Sequence, residues 1–356
     1  MSNKMFDIAI FNPPFQKFQN DTSDKPIYNK FIDAAIKVSK EVEVITPARF
    51  LFNAGKTPKQ WNEKMLNSPH FKVLKYEKNG NNVFPNTEIK GGVAITYYNQ
   101  EKEYAPIQIF IDNKILNSIF HKVFNYKNFN SLSDVVFSPE SYKFSKEMYI
   151  DHPEILSMTY DKKGKRSPVI SKGHDYDLTS NIFEKLDNVI FFKDRPKNSF
   201  DYILVYGRKE NKRCKRWIKK DYISDHPNLN NYKILFSKSS GSGKFGEQIS
   251  QPVIGNPNEA HTQTFISIGS FQTQYEAFSA NKYIKTKFAR TMLGVLKVTQ
   301  DNKKGVWKYV PLQDFTDHSD IDWSKTIPEI DQQLYRKYGL SDEEIDFIET
   351  HVKEMK

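Results

Sequence analysis

Only one cysteine, Cys214, stands in 356 residues. No disulfide can therefore close within the chain and no cysteine knuckle can hold a metal, a usage that fits a reducing cytoplasm. No run of about 18 apolar residues exists, so no membrane-spanning helix is expected. The start of the chain also lacks the basic-then-apolar build of a secretory leader. The 8 histidines are scattered. His152 and His226 each precede a proline in turn-like surroundings, and no pair has metal-ligand spacing. Asp33, Glu41 and Glu43 lie in one region, but they do not make the carboxylate and lysine cluster of a magnesium nuclease. Neither a Ser/His/Asp nor a Cys/His arrangement has supporting context. Internal repeats are absent too: Asp-His-Pro occurs at Asp151 and Asp225 without matching flanks.

What the sequence does hold is positive charge and aromatic side chains. Lys and Arg number 53 against 43 Asp and Glu, a net charge of +10 at a pI of about 9.2. That excess favours encounter with polyanions, nucleic acid first, although a merely basic soluble protein would show it too. Aromatics make up 14% of residues, with 27 Phe and 19 Tyr, which is ample material for a packed core. The length suits two domains at roughly 150 residues each.

Phe6 to Phe11 (FDIAIF) reads as a buried strand that stops at Asn12-Pro13-Pro14, because proline cannot donate to a sheet ladder. Tyr28 to Lys40 has a helical apolar face through Phe31, Ile32, Ala35 and Ile36. Glu41 to Thr46 alternates as a second strand. A helix over WNEKMLNS and strands over FKVLKYE and GGVAITYYN follow, the last two separated by the polar loop NGNNVFPNTEIK. This order is that of the second half of a doubly wound α/β sheet. Further on, a linker-like stretch over Ser131 to Ser145 leads into strand candidates NVIFFK, FDYILVYG and YKILFSK, which suggest an α+β region. A long helix is expected over Glu276 to Thr299, and EEIDFIETHVKEMK closes the chain as an amphipathic helix.

Asn12-Pro13-Pro14-Phe15, set directly after an apolar strand, is the most informative feature. The Asn12 side-chain oxygen and the Pro13 carbonyl can form a pair of acceptors for the two hydrogens of an amine, on a corner that two prolines stiffen. Phe15 adds a face on which a base can stack. FDIAIFNPPF resembles motif IV of the adenine amino-methyltransferases. The segments after it resemble the gamma-class order found in restriction-modification enzymes. Asn29 to Phe52 is similar to the helix-strand-"VPxxFL" stretch of that class, and Val83 to Asn99 to its motif VIII. The likeness covers about residues 5 to 100, and extends weakly to 281–313. It implies that Asn12, Pro13, Pro14 and Phe15 form the catalytic corner, and that the target adenine leaves the duplex to be reached. It also implies that Phe84 stacks on the second face of that base, where the sequence alone allows a loop aromatic packing under its own strand.

The family's cofactor, S-adenosylmethionine, binds a glycine-rich loop on strands that precede motif IV, so its site is expected largely outside this chain. Gly241-Ser242-Gly243-Lys244-Phe245-Gly246 does spell GxGxxG. However, Pro252 and Pro257 follow it where a long helix should open, so a mobile, DNA-facing loop is the preferred expectation. The basic run Arg208 to Lys220 surrounds Trp217. Lys212, Arg213, Lys215, Arg216, Lys219 and Lys220, with Lys244, are candidate phosphate contacts, and Trp217 a candidate wedge or stacking group. A solvated basic loop fits the same residues. Asp161 to Pro168 is a second basic turn.

The expected fold is thus α/β, the second half of a Rossmann-like methyltransferase sheet, followed by an α+β DNA-recognition region. The expected divisions are a partial catalytic domain over 1–105, a target-recognition region over 106–325 and a helical tail over 326–356. The resemblance implies an adenine-specific DNA methyltransferase of a restriction-modification system, cytoplasmic, acting on double-stranded DNA. An upstream methylase half or restriction subunit would be its partner, and no membrane is involved. A non-catalytic DNA-specificity module and a basic RNA-binding protein remain the alternatives.

Overall fold

The computed structural model describes residues 4–17, 25–53, 55–87, 89, 91–156, 158–160, 166–168, 170 and 173–355. The basic turn expected at Asp161 to Pro168 lies largely outside them. The chain divides into two compact units, Met1–Asn117 and Ser118–Lys356. Among the described residues no helix is long and apolar enough to cross a membrane.

The first unit opens with strand β1 (Phe6–Phe11) and a small ribbon, β2 (Gln16–Lys17) with β3 (Lys25–Pro26). Helix α1 (Tyr28–Val38), strand β4 (Ser39–Pro47), helix α2 (Lys59–Leu66) and strands β5 (Phe71–Glu77) and β6 (Val93–Asn99) follow, and helix α3 (Lys114–Phe124) begins as the unit ends. The sheet order is β1-β4-β6-β5. Strands β1 and β4 are parallel, with Phe11 opposite Val44, and β6 is antiparallel to both β4 and β5. Strands β1, β4 and β5 therefore run one way and β6 the other. A parallel pair needs a crossover connection, and α1 supplies it. Its Tyr28 and Ile32 bury against Val44, Phe50, Trp61 and Phe71. The expectation of a fully buried first strand fails. Phe6, Ile8 and Ile10, which share one face of the strand, are 54%, 47% and 70% exposed, so the described residues leave that face of β1, an edge of the sheet, uncovered.

The second unit begins with β7 (Val136–Phe137), α4 (Lys146–Asp151), the pair β8 (Met158–Tyr160) and β9 (Arg166–Pro168), and α5 (Ile182–Leu186). Strands β10 (Tyr202–Lys209), β11 (Lys212–Lys219), β12 (Tyr232–Ser237), β13 (Val253–Gly255), β14 (Glu259–His261) and β15 (Phe265–Phe271) come next. They form two sheets, of order β11-β10-β14 and β13-β12-β15-β7. Helices α6 (Gln274–Lys285), α7 (Lys287–Gly294), α8 (Ile327–Lys337) and α9 (Asp342–His351) complete it. The mixture of sheets and helices agrees with an α/β chain.

Four expectations need correction. The long helix breaks at Thr286, whose backbone is extended and whose hydroxyl accepts from Ala289 N to cap α7. NVIFFK is not a strand: Asn188 turns left-handed at φ 62°, and Ile190 and Phe191 are apolar because they lie in the core. The 131–145 stretch is no linker either, since Leu132, Val136, Tyr142 and Phe144 are buried. The closing helix stops at His351, and the residues beyond it leave the helix.

Candidate functional site

The corner after β1 sits beside the end of β4, its parallel neighbour. Ligands of open α/β sheets gather outside such carboxyl ends, because the chain there leaves the ladder and turns. A cleft of about 600 Å³ opens at this place, lined by Asn12, Pro13, Phe15, Gln16, Pro47, Arg49, Phe84, Thr87 and Ile89. Asn12, Pro13 and Phe15 thus share one cleft with Phe84, some 70 residues on. Pro14 is exposed and does not line it. Neither the Asn12 side chain nor the Pro13 carbonyl is engaged by any described residue. Both acceptors are free to take hydrogens from a ligand.

Local structure holds each aromatic in place. The carbonyl of Phe15 accepts from Ile27 N at 3.2 Å, next to the β2–β3 ribbon. Phe84 hangs from a short turn in which Asn79 caps Asn81 N, Phe84 N reaches Gly80 O at 2.9 Å and Thr87 N reaches Phe84 O at 3.2 Å. The two rings meet edge to face, with centroids 5.8 Å apart and planes at 78°.

Arg49 is the lining residue that sequence reasoning passed over. It lies inside the quoted stretch after β4, and its signal was positional: a charged residue two places beyond Pro47, at a strand's carboxyl end. Nearby, the Tyr28 hydroxyl bonds Thr57 Oγ1 at 2.6 Å. Burial raises the Tyr28 pKa, and the Thr57 bond and the Arg49 charge only partly offset that.

The basic run occupies β10 and β11, a hairpin closed at Glu210 and Asn211, both at positive φ. Much of its charge is already answered. Lys215 pairs with Glu259 at 2.6 Å, Arg216 with Asp187 at 2.8 Å and Lys219 with Asp151 at 3.1 Å. Lys209 joins Arg216 on Asp187. Although burial pushes the Asp187 pKa up, these two cations hold it below the usual carboxylate range. Arg213 bonds Ser237 Oγ and Gln251 O. Arg195 lies over the half-buried Trp217 ring at 5.9 Å. Lys212, Lys220 and Lys244 are exposed and carry no ion pair among the described residues. Cys214 is half-buried, and burial raises its thiol pKa.

The GxGxxG loop also departs from its expectation, for it is pinned. Glu247 folds back into it, and its carboxylate accepts from Ser242 N at 2.9 and 2.8 Å, from Gly243 N at 2.7 Å and from Ser242 Oγ at 3.0 Å. Lys297 stands 3.7 Å away. Successive backbone N–H groups in a left-handed turn make an anion-binding concavity, and this one holds an anion of the chain itself. Gly243, at φ 88°, has no room for a side chain: a Cβ would come 2.3 Å from Thr299 N. Lys353 N also bonds Gly246 O at 2.9 Å. Among the described residues no group of acidic, histidine or cysteine side chains could hold a metal ion.

Residues 1–84 match the family model of the Eco57I restriction-modification methylase. No curated protein matches the chain. Similar solved structures include the type IIG restriction endonuclease BpuSI, at 7% identity and a TM-score of 0.31, over 93% of this chain and 50% of that one. Another is the ATP-dependent type ISP restriction-modification enzyme LlaBIII bound to DNA, at 11% identity and a TM-score of 0.29, over 97% and 30%. A third is the type IIL restriction-modification enzyme MmeI in complex with DNA, at 10% identity and a TM-score of 0.26, over 98% and 55%. The chain spans between 30% and 55% of the length of these structures.

Proposed function

We propose that this chain carries the target-base portion of an adenine-specific DNA methyltransferase, joined to a DNA-recognition region, in a restriction-modification setting. Residues 1–105 would hold the base, 106–325 would read DNA and 326–356 would form a helical tail. The observation that carries this reading is the pair of unengaged acceptors, Asn12 and Pro13, in a cleft shared with Phe15 and Phe84. It is supported by the family match over residues 1–84.

Adenine's amino lone pair is delocalised into the ring, so the amine is a weak nucleophile. Two acceptors that bind both hydrogens draw the nitrogen towards tetrahedral geometry, and a rigid Pro-Pro corner lets them act without reorganising. The aromatic rings hold the extruded base by stacking, worth about 1–3 kcal/mol per base. The methyl donor implied by the resemblance is S-adenosylmethionine. The described residues do not fit it: the GxGxxG loop is filled by Glu247 and no helix opens from it. The donor site belongs on this reading to a separate methylase half, and the work of this chain ends at holding the amine.

That same closed loop favours one alternative, a DNA-specificity module that binds duplex without transferring a methyl group. Titrating the purified chain, alone and with a cofactor-binding half, separates the two. On the enzyme reading the assembly methylates adenine, and Asn12→Ala lowers the rate about 100-fold or more while duplex affinity holds. Undiminished methylation by Asn12→Ala would remove the enzyme reading.

A further inference from the structure

Arg49 lies on the wall common to two clefts. One is the cleft of Asn12 and Phe84. The other, of about 330 Å³, is lined by Tyr28, Lys56 and Thr57 among others. Arg49 is exposed, its side chain has no ion pair or hydrogen bond with any described residue, and among the described residues no acid lines either cleft. The backbone has been cleared around its stem. A Cβ at Gly91, where φ is 88°, would lie 2.6 Å from Arg49 Cγ, and one at Gly55 would lie 3.4 Å from Arg49 Nε. The bond from Ala48 N to Gly92 O, 2.9 Å, fastens this turn to the loop that carries Gly91. A guanidinium held in a glycine slot, with no carboxylate among the described residues to answer it, is arranged to receive an anion from outside the chain, and its planar fork suits phosphate.

We infer that Arg49 is a phosphate subsite, holding a phosphate of the nucleotide whose base enters the adjoining cleft. The inference rests on the reading of that cleft as a base pocket. It divides the labour: Asn12 and Pro13 take the amine, Phe15 and Phe84 take the ring, and Arg49 takes the backbone of the extruded nucleotide. The anion with which it competes is the carboxylate of the methyl donor, and the test separates the two.

The purified full chain is titrated with deoxyadenosine, with its 5′- and 3′-monophosphates and with S-adenosylmethionine, by ligand-observed NMR. The wild-type chain is expected to bind at least one monophosphate about tenfold more tightly than the nucleoside, the yield of one charge-assisted contact. Arg49→Gln should bind nucleoside and nucleotides alike, at the nucleoside's affinity. Arg49→Lys, which keeps the charge but not the fork, should retain part of the preference and serves as the folding control. Nucleoside binding with no gain from phosphate, or equal weakening of nucleoside and nucleotide in Arg49→Gln, overturns the inference and leaves the base pocket standing. Loss of S-adenosylmethionine binding alone assigns Arg49 to the donor and also overturns it. If the wild-type chain binds neither nucleoside nor nucleotide, the base-pocket reading fails and takes this inference with it.

Discussion

Phe15 and Phe84 touch edge to face, with ring centroids 5.8 Å apart. A base stacked between two parallel rings needs about 7 Å, twice the contact distance of about 3.5 Å between carbon atoms. The pair as it stands is therefore closed on itself, and a base can enter only if one ring turns aside. Phe84 is the better placed to move, since it hangs from a turn between β5 and β6, whereas Phe15 adjoins a strand ribbon. Phe84→Ala should weaken capture of a single-stranded oligonucleotide carrying 2-aminopurine by about 5- to 150-fold, the equivalent of one lost stack. Fluorescence titration reads it. An unchanged affinity would mean that Phe84 only packs under its own strand.

The basic side chains of the second unit divide into two groups that should respond differently. Lys212, Lys220 and Lys244 carry no ion pair among the described residues, so replacing each with Gln should lower the salt dependence of duplex binding by about one unit of slope while leaving the melting temperature alone. Arg216 is paired with Asp187, which it shares with Lys209. Arg216→Gln should instead destabilise the fold, because it leaves a half-buried carboxylate short of a partner. Affinity measured at several salt concentrations, beside thermal melts, distinguishes the groups. An identical response from both would show that the ion pairs open on DNA.

How far the sequence showed this molecule depends on what kind of signal each part carried. Helix α1 and strands β4, β5 and β6 announce themselves by periodicity, because one face of each meets the core of Tyr28, Val44 and Phe71. The Asn12 corner announces itself by composition, since two prolines after a strand leave few conformations. What stayed hidden depends on contacts distant in sequence. The break at Thr286 is a hydroxyl finding Ala289 N, and nothing in the apolar period of that stretch marks it. Glu247 reads as one more surface acid until the loop closes around it. The pairing of Lys215 with Glu259 joins residues 44 apart, so a run that reads as free charge is partly neutral in the fold.

Glu247 ties its loop by charge, and this fixes a pH response. Burial raises its pKa, but the N–H groups of Ser242 and Gly243, the Ser242 hydroxyl and Lys297 outweigh burial and hold it below its ordinary 4.5. A carboxyl lowered on folding contributes stability above the ordinary carboxylate range and loses it as pH falls through the lowered value. Glu247→Gln should cost about 1–3 kcal/mol at neutral pH, and the gap to wild type should shrink below about pH 4. Urea unfolding at pH 7 and pH 3.5 tests this; a gap independent of pH would refute the ionic tie.

Lys233 gives a slope of the same sign at higher pH. It is fully buried, donates to the carbonyls of Leu229, Asn256 and Glu259, and pairs with no carboxylate among the described residues. Burial lowers its pKa from 10.5 to about 7, with Glu259 pulling weakly the other way. Between those values the unfolded chain holds a proton that the folded chain has released, so stability rises as pH climbs from 7 towards 10. Below pH 7 both states are protonated and the contribution is flat. Lys233→Met should lose stability overall, because three carbonyls lose a donor and two of those bonds are buried, and should also lose this rise. Unfolding series of both proteins at pH 7, 8 and 9 suffice, and parallel curves would show that Lys233 keeps an ordinary pKa.

The edge of the first sheet makes the last prediction. Met5, Phe6, Ile8 and Ile10 are exposed, and among the described residues β1 has a paired neighbour on one side only. Parallel strands are stable when both faces are covered, and an open apolar edge is a template for another strand. Natural edges are guarded by charge; Asp7 is engaged with Lys40 at 2.9 Å, which leaves the apolar positions of β1 unguarded. If a separate methylase half normally extends the sheet here, the chain on its own should self-associate through β1 as its concentration rises. Ile8→Lys with Ile10→Lys should hold it monomeric in sedimentation without lowering the melting temperature, since those side chains contribute little to the core. Association that persists in the double variant would place the sticky surface elsewhere and remove the reason to look for a partner strand at β1.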